Sequence, residues 1–289
     1  MTQSFIIRSA ERGHDLIKST GLGASYVAGH PDGYITRASS FNFHQYQGGR
    51  PGFGPIRVFG DEIFRGAGCG YNMHPHHNFV ICAFIYSGEL THVNTAGEGM
   101  VDRLRPGDYY VFSAGAGGKH SELSVSQEDM QAVYLWLLPN QLYLPTTYHR
   151  SHFDFRSRRH ELVQLIGDGD DALPIPQDMR VSRLLTDAGG THRYQLRSPA
   201  HGAYVYVREG AVRCNGLDLG RRDSAGLWEV EGSTLTLEVL EDDSDIFLVE
   251  TILIDDERFR DWEHELDHEH AHEQHGAVAA EAIEPAKEI

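Results

Sequence analysis

Apolar residues along this chain come in short runs broken by polar turns about every ten residues. Examples are "IRVFGDE", "FVICAFIYSGEL", "MQAVYLWLL", "YVYVREGAVRCNG", "LTLEVLEDD" and "DIFLVETILI". Runs of this length, rich in Val, Ile, Tyr and Phe and bounded by Gly, Pro, Asn and Asp, predict strands of a sandwich or barrel. Helical periodicity is absent before residue 255, so the body is predicted to be all-β. The pattern also occurs twice. "FIYSGELTHVNTAGEG" followed by "RPGDYYVFSAG" has a weaker echo in "YVYVREGAVRCNGLDLGRRDSAGLWEVEG". Such a repeat predicts two similar β-domains. Their boundary is expected in the polar, proline-containing stretch 139–159, giving domains 1–145 and 146–254.

The segment 255–289 differs. Phe259, Trp262 and Leu266 fall at i, i+3 and i+7, which predicts a short docking helix over about 256–267. Beyond it the composition is acidic and His-rich, and disorder is the expectation. His264, His268, His272 and His275 have helical chelating spacing, but a flexible, weakly metal-binding tail accounts for them better.

The chain carries a net charge of −17. From Asp255 to Ile289 it has twelve acidic and three basic residues, so −9 belongs to the tail and −8 to the body. An acidic body without a basic stripe argues against nucleic-acid binding. The longest apolar runs have strand length, short of the roughly 20 residues that cross a bilayer, so no membrane association is expected. Cys69, Cys82 and Cys214 are odd in number and lack C-x-x-C spacing. A reducing, cytoplasmic setting without disulfides is the simplest reading.

The chemistry concentrates in "YNMHPHHNFV", residues 71–80, and "GKHSEL", residues 118–123. In a strand, i and i+2 share a face. His74 and His76 then point together, with His77 opposite, and His120 and Glu122 point together with Ser121 opposite. Two such pairs on neighbouring strands converge three imidazoles and one carboxylate. That donor set suits Fe(II), Mn(II), Ni(II), Cu(II) or Zn(II) and leaves positions open for a substrate. Asn78 shares the His74 face if the strand continues. His92, between a strand and a turn, reads as a polar residue beside a hairpin. Phe43, His44 and Tyr46 read as core or edge packing, with a lip over the site as the alternative.

The stretch "GCGYNMHPHHNFVICAFIYSGELTHVNTAGEGMVDRLRPGDYYVFSAGAGGKHSE" resembles the metal-binding half of the pirins, members of the cupin superfamily. The resemblance extends from "SSFNFHQYQGGRPGFGPIRVFGDE" to "DIFLVET" and covers most of residues 1–254. It implies a bicupin fold, two face-to-face β-sandwich barrels, with one metal ion, Fe(II) first, in the N-terminal barrel. It also implies ligands at His74, His76, His120 and Glu122, the four that the spacing had selected. Residues 146–254 contain no H-x-H, and His192 and His201 lack a matching pair, so a second metal is not expected there. Pirins usually read HPHRGFE where this chain reads "HPHHNFV". Asn78 and Val80 therefore mark the pocket, with Phe43, as the place where substrate preference departs.

The resemblance further implies an activity like that of quercetin 2,3-dioxygenases, with a small aromatic enol and O2 as reactants and Glu122 as catalytic base. Its alternative is a metal- or redox-dependent regulatory protein that acts on a protein partner.

Overall fold

The computed structural model describes residues 1–19, 27–43 and 46–253. The tail and its predicted helix, together with His44, lie outside the described residues. Among those described, the chain forms strands in four antiparallel sheets and two single-turn 3-10 helices. The all-β prediction holds. No helix among these residues is long and apolar enough to cross a membrane.

A seven-stranded sheet runs in the order Thr147–His152, Asp108–Ser113, Val80–Ser87, Met130–Leu137, Ile56–Arg65, Tyr34–Ser39 and Gly13–Lys18. A five-stranded sheet shares a core with it: Val27–Ala28, Gly70–His76, Gly118–Ser124, Leu90–Asn94 and Met100–Leu104. The second half repeats the plan. Its six-stranded sheet holds Gln3–Ile7, Ser224–Trp228, His201–Glu209, Ser244–Ile252, Met179–Thr186 and Leu162–Ile166. Its four-stranded sheet holds Thr191–Gln195, Thr234–Val239, Val212–Cys214 and Leu217–Leu219.

The two large sheets face each other, which explains the unbroken apolar run at 79–86. Ile81, Ala83 and Ile85 pack into the core of the first sandwich. Val80, Cys82 and Phe84 pack the other way, against Tyr204, Tyr206 and Phe247 of the second. A strand buried on both faces needs apolar side chains at every position. At the centre of this interface Phe59 lies 5.0 Å, centroid to centroid, from both Tyr204 and Tyr206. The interface also buries an ion pair. Arg183 grips Asp245 with two bonds, Nε to Oδ1 at 2.6 Å and Nη2 to Oδ2 at 2.5 Å. The guanidinium stacks on Phe155, 3.5 Å from its ring centre, and reaches Tyr86 of the first half.

Two pairings cross the boundary expected after residue 145. Thr147–His152 adds to the first sandwich by pairing with Asp108–Ser113. At the other end, Gln3–Ile7 pairs with Ser224–Trp228 and belongs to the second half. The polar composition that suggested a linker at 147–152 is that of a half-exposed edge strand.

Candidate metal centre

Gly70–His76 and Gly118–Ser124 are antiparallel neighbours, with His74 opposite His120 and His76 opposite Gly118. Alternation turns His74 and His76 inward and leaves Met73 and Pro75 exposed. Next to His74 the ladder slips. Glu122 stands opposite Tyr71, so Asn72 and Met73 face the single residue Ser121 as a β-bulge. The bulge carries the Asn72 carbonyl, which accepts from His74 Nδ1 at 2.6 Å. That bond fixes the ring and makes Nε2 the nitrogen that could ligate an ion.

Gly70 allows the strands to close this tightly. A Cβ at Gly70, where φ is +156°, would stand 1.9 Å from the Glu122 carbonyl oxygen. Gly70→Ala is expected to destabilise the fold by about 1–3 kcal/mol, as overpacking does, and to spread the two histidine strands. Urea unfolding checks the stability. An unchanged midpoint would show that the strands give way freely.

The three imidazoles form a compact triangle. Ring centroids lie 4.7 Å apart for His74–His76, 4.5 Å for His74–His120 and 4.8 Å for His76–His120. One donor atom from each falls within 4.8 Å of the other two. The Nε2 atoms of His76 and His120 are buried with no hydrogen-bond partner. Leaving such groups unpaired is costly, and a cation at the centre of the triangle would satisfy them. Burial depresses the basicity of all three rings, that of His74 to about 4. They are neutral at pH 7, as ligands must be. The donor set therefore fits a divalent ion. Both metal-capable groups among the described residues lie in the first sandwich.

Glu122 stands one step along the sheet. Its carboxylate lies within 4.8 Å of donor atoms on His92 and His120, a second cluster that shares His120 with the first. Tyr110 donates its hydroxyl proton to Glu122 Oε1. Burial lifts the Glu122 carboxyl to about 7.

His92 is not the hairpin-side residue that its place near a turn suggested. It is fully buried and stacks between Tyr110, at 4.4 Å, and Tyr148, at 5.1 Å. Its Nε2 lies 3.1 Å from His120 Nδ1. The alternation of "LTHVN", with Leu90, His92 and Asn94 inward, carried this signal in the sequence. Trp136 and Phe112 are further neighbours that the sequence did not single out. Trp136 stands edge-on to His76 at 5.0 Å, and Phe112 stacks on His120 at 5.1 Å.

The pocket candidates fare differently. Phe43 belongs to the core beside the site, 5.1 Å from Trp136. Val80 faces the opposite core between the two halves and cannot line the site. Asn78 is likewise corrected. The strand ends at His76, and Asn78 takes a left-handed turn conformation with φ of 55°. Its Oδ1 accepts from the backbone N–H of Tyr143 at 2.7 Å, which pins a loop rather than a ligand. Tyr46 packs on Gly13 and donates to the Glu11 carbonyl.

Comparison with known proteins identifies the family. The pirin profile matches residues 27–137, and that of the quercetinase C-terminal cupin domain matches residues 166–251. A protein of Zymomonas mobilis, provisionally named a quercetin 2,3-dioxygenase, is 31% identical over 223 residues, 76% of this chain and 92% of its own. The quercetin 2,3-dioxygenase of Escherichia coli K12 is 26% identical over 207 residues, 70% of this chain and 87% of its own. The bacterial pirin YhhW of Escherichia coli, solved with nickel(II), superposes with a TM-score of 0.73 at 21% identity, over 87% of this chain and all of its own. Two profiles in tandem, together with an overall fold and a histidine triangle of this kind, place the chain in the pirin family of cupin proteins.

Proposed function

We propose that this chain is a metal-dependent dioxygenase acting on a flavonol-like aromatic enol and O2. The observation that carries the reading is the triangle of neutral imidazoles, with the inward nitrogens of His76 and His120 left without protein partners. His74, His76 and His120 hold one divalent ion, with Glu122 as fourth ligand. Fe(II) is the assigned ion, and Mn, Ni, Cu and Zn suit the same donors. When bound, the ion supplies Lewis acidity and a template on which enolate and O2 meet.

The side chains do the rest. Glu122 accepts the substrate's hydroxyl proton as general base. Tyr110 donates to its Oε1 and holds the carboxylate in place. Trp136, Phe43 and Phe79 pack edge-on into one apolar wall next to His76. Such a wall seats an aromatic ring and excludes water. The names of the Zymomonas and Escherichia coli relatives point to the same substrate class.

Oxygen uptake tests the proposal. Full-length protein loaded anaerobically with Fe(II) is expected to consume O2 when quercetin is added, and His120→Ala is expected not to. Equal uptake by the two proteins would remove the dioxygenase reading and leave regulatory binding as the role of the site.

A further inference from the structure

His120 is held from behind by a chain of hydrogen bonds whose direction can be read. Asn94 Oδ1 accepts from the Ala96 N–H at 3.0 Å. That turns its Nδ2 toward His92 Nδ1, 3.4 Å away. An amide nitrogen can only donate, so His92 Nδ1 is unprotonated and the single proton of this neutral ring is on Nε2. His92 Nε2 then donates to His120 Nδ1 across 3.1 Å. His120 in turn keeps its own proton on Nε2, the buried nitrogen without a partner. For ligation through Nε2 this is the wrong tautomer. That nitrogen must lose its proton, and Nδ1 must carry one.

We propose that Asn94, acting through His92, is the positioning residue that sets the His120 tautomer, and that metal capture reverses this chain and frees the Ala96 amide. The inference rests on the metal reading above. In the reversed chain His120 Nδ1–H donates to His92 Nε2, and His92 Nδ1–H donates to Asn94 Oδ1. The His92 Nε2 proton moves to His120 Nδ1, the His120 Nε2 proton leaves to solvent, and solvent returns one proton to His92 Nδ1, so the exchange has no net proton gain or loss. Each ring keeps one proton and stays neutral.

Asn94 presents its oxygen to Ala96 in one amide orientation and to His92 in the other. Serving His92 therefore takes the acceptor away from Ala96, which is buried at the start of the turn 95–99. That turn is tied to the site. Thr95 N–H donates to the Lys119 carbonyl at 3.0 Å, and Lys119 N–H donates to Thr95 Oγ1 at 2.9 Å, next to His120 in sequence. Metal occupancy is thus coupled to the order of an outer hairpin turn.

The variant that separates this device from a merely structural role is Asn94→Asp. A carboxylate accepts from Ala96 N–H and His92 Nδ1–H together, so no acceptor has to be shared. Nickel(II) serves as probe because it suits imidazole donors. Chelator competition on full-length protein, with His74→Ala subtracted to remove binding by the tail, is expected to show Asn94→Asp binding nickel about tenfold more tightly than wild type, the scale of outer-shell effects. Nickel is also expected to accelerate hydrogen exchange at the Ala96 amide in wild type and to leave it unchanged in Asn94→Asp.

Nickel affinity no higher in Asn94→Asp would overturn the inference. So would an Ala96 amide in wild type that is indifferent to nickel, a result that needs no variant. If wild type and His74→Ala bind nickel equally, it is the metal reading that fails, and this inference goes with it.

Discussion

His120→Ala is expected to lower metal affinity by at least about 100-fold, the upper end of what outer-shell losses cost, or about 2.8 kcal/mol. No other single change at the site should cost as much. His120 belongs to both donor clusters and is the only residue common to them among the described residues. It also anchors His92, whose Nε2 would lose its partner. Chelator competition with nickel(II) or Fe(II) measures the loss, with circular dichroism confirming that the sheets persist. Affinity within threefold of wild type would mean that the imidazole triangle is not where the ion sits.

Asp245→Ala is expected to cost about 3–5 kcal/mol of stability, because it strands a buried cation. Arg183 is 5% exposed in its side chain and Asp245 3%. Arg208 Nη1, 3.4 Å from Asp245 Oδ2, would add a second under-compensated charge. The aromatic faces of Phe155 and Tyr86 offset only part of this. Urea unfolding at pH 7 gives the number. The double variant Arg183→Met/Asp245→Leu is expected to recover most of the loss, since apolar replacement of both partners removes the desolvation cost along with the attraction. A loss below about 1 kcal/mol for Asp245→Ala would show that water reaches Arg183.

The part of the site legible in the sequence was the part governed by a period of two. Alternation put His74, His76 and His120 on inward faces, and the strands place them there. The same rule also covered His92, whose nearness to a turn suggested a hairpin-side residue instead, and Asn94, which shares its inward face. Three features lay beyond alternation. The β-bulge at Asn72 and Met73 shifts Glu122 one register step, and only the pairing of two distant strands creates it. The turn at 77–79 interrupts the strand, so Asn78 and Val80 do not inherit the face of His76. Val80 also lies on a strand buried on both sides, where apolarity does not reveal which core a side chain enters. The fold followed a similar division. Strand content was readable from run length and the two-fold plan from the repeated pattern, whereas the partners of Gln3–Ile7 and Thr147–His152 were fixed by contacts far away in the chain.

The pairing of Ser4 with Leu227 orders events during synthesis. Translation proceeds at about 5–20 residues per second, so Gln3–Ile7 waits about 10–45 s for its partner to leave the ribosome. Once residues up to His152 have emerged, the first sandwich can assemble while Phe5 and Ile7 still lack a sheet to join. Gln3–Ile7 is stitched into the later-made half, and the two halves become a single ring of dependency. Severing the molecule anywhere near its middle then removes an edge from the far side as well.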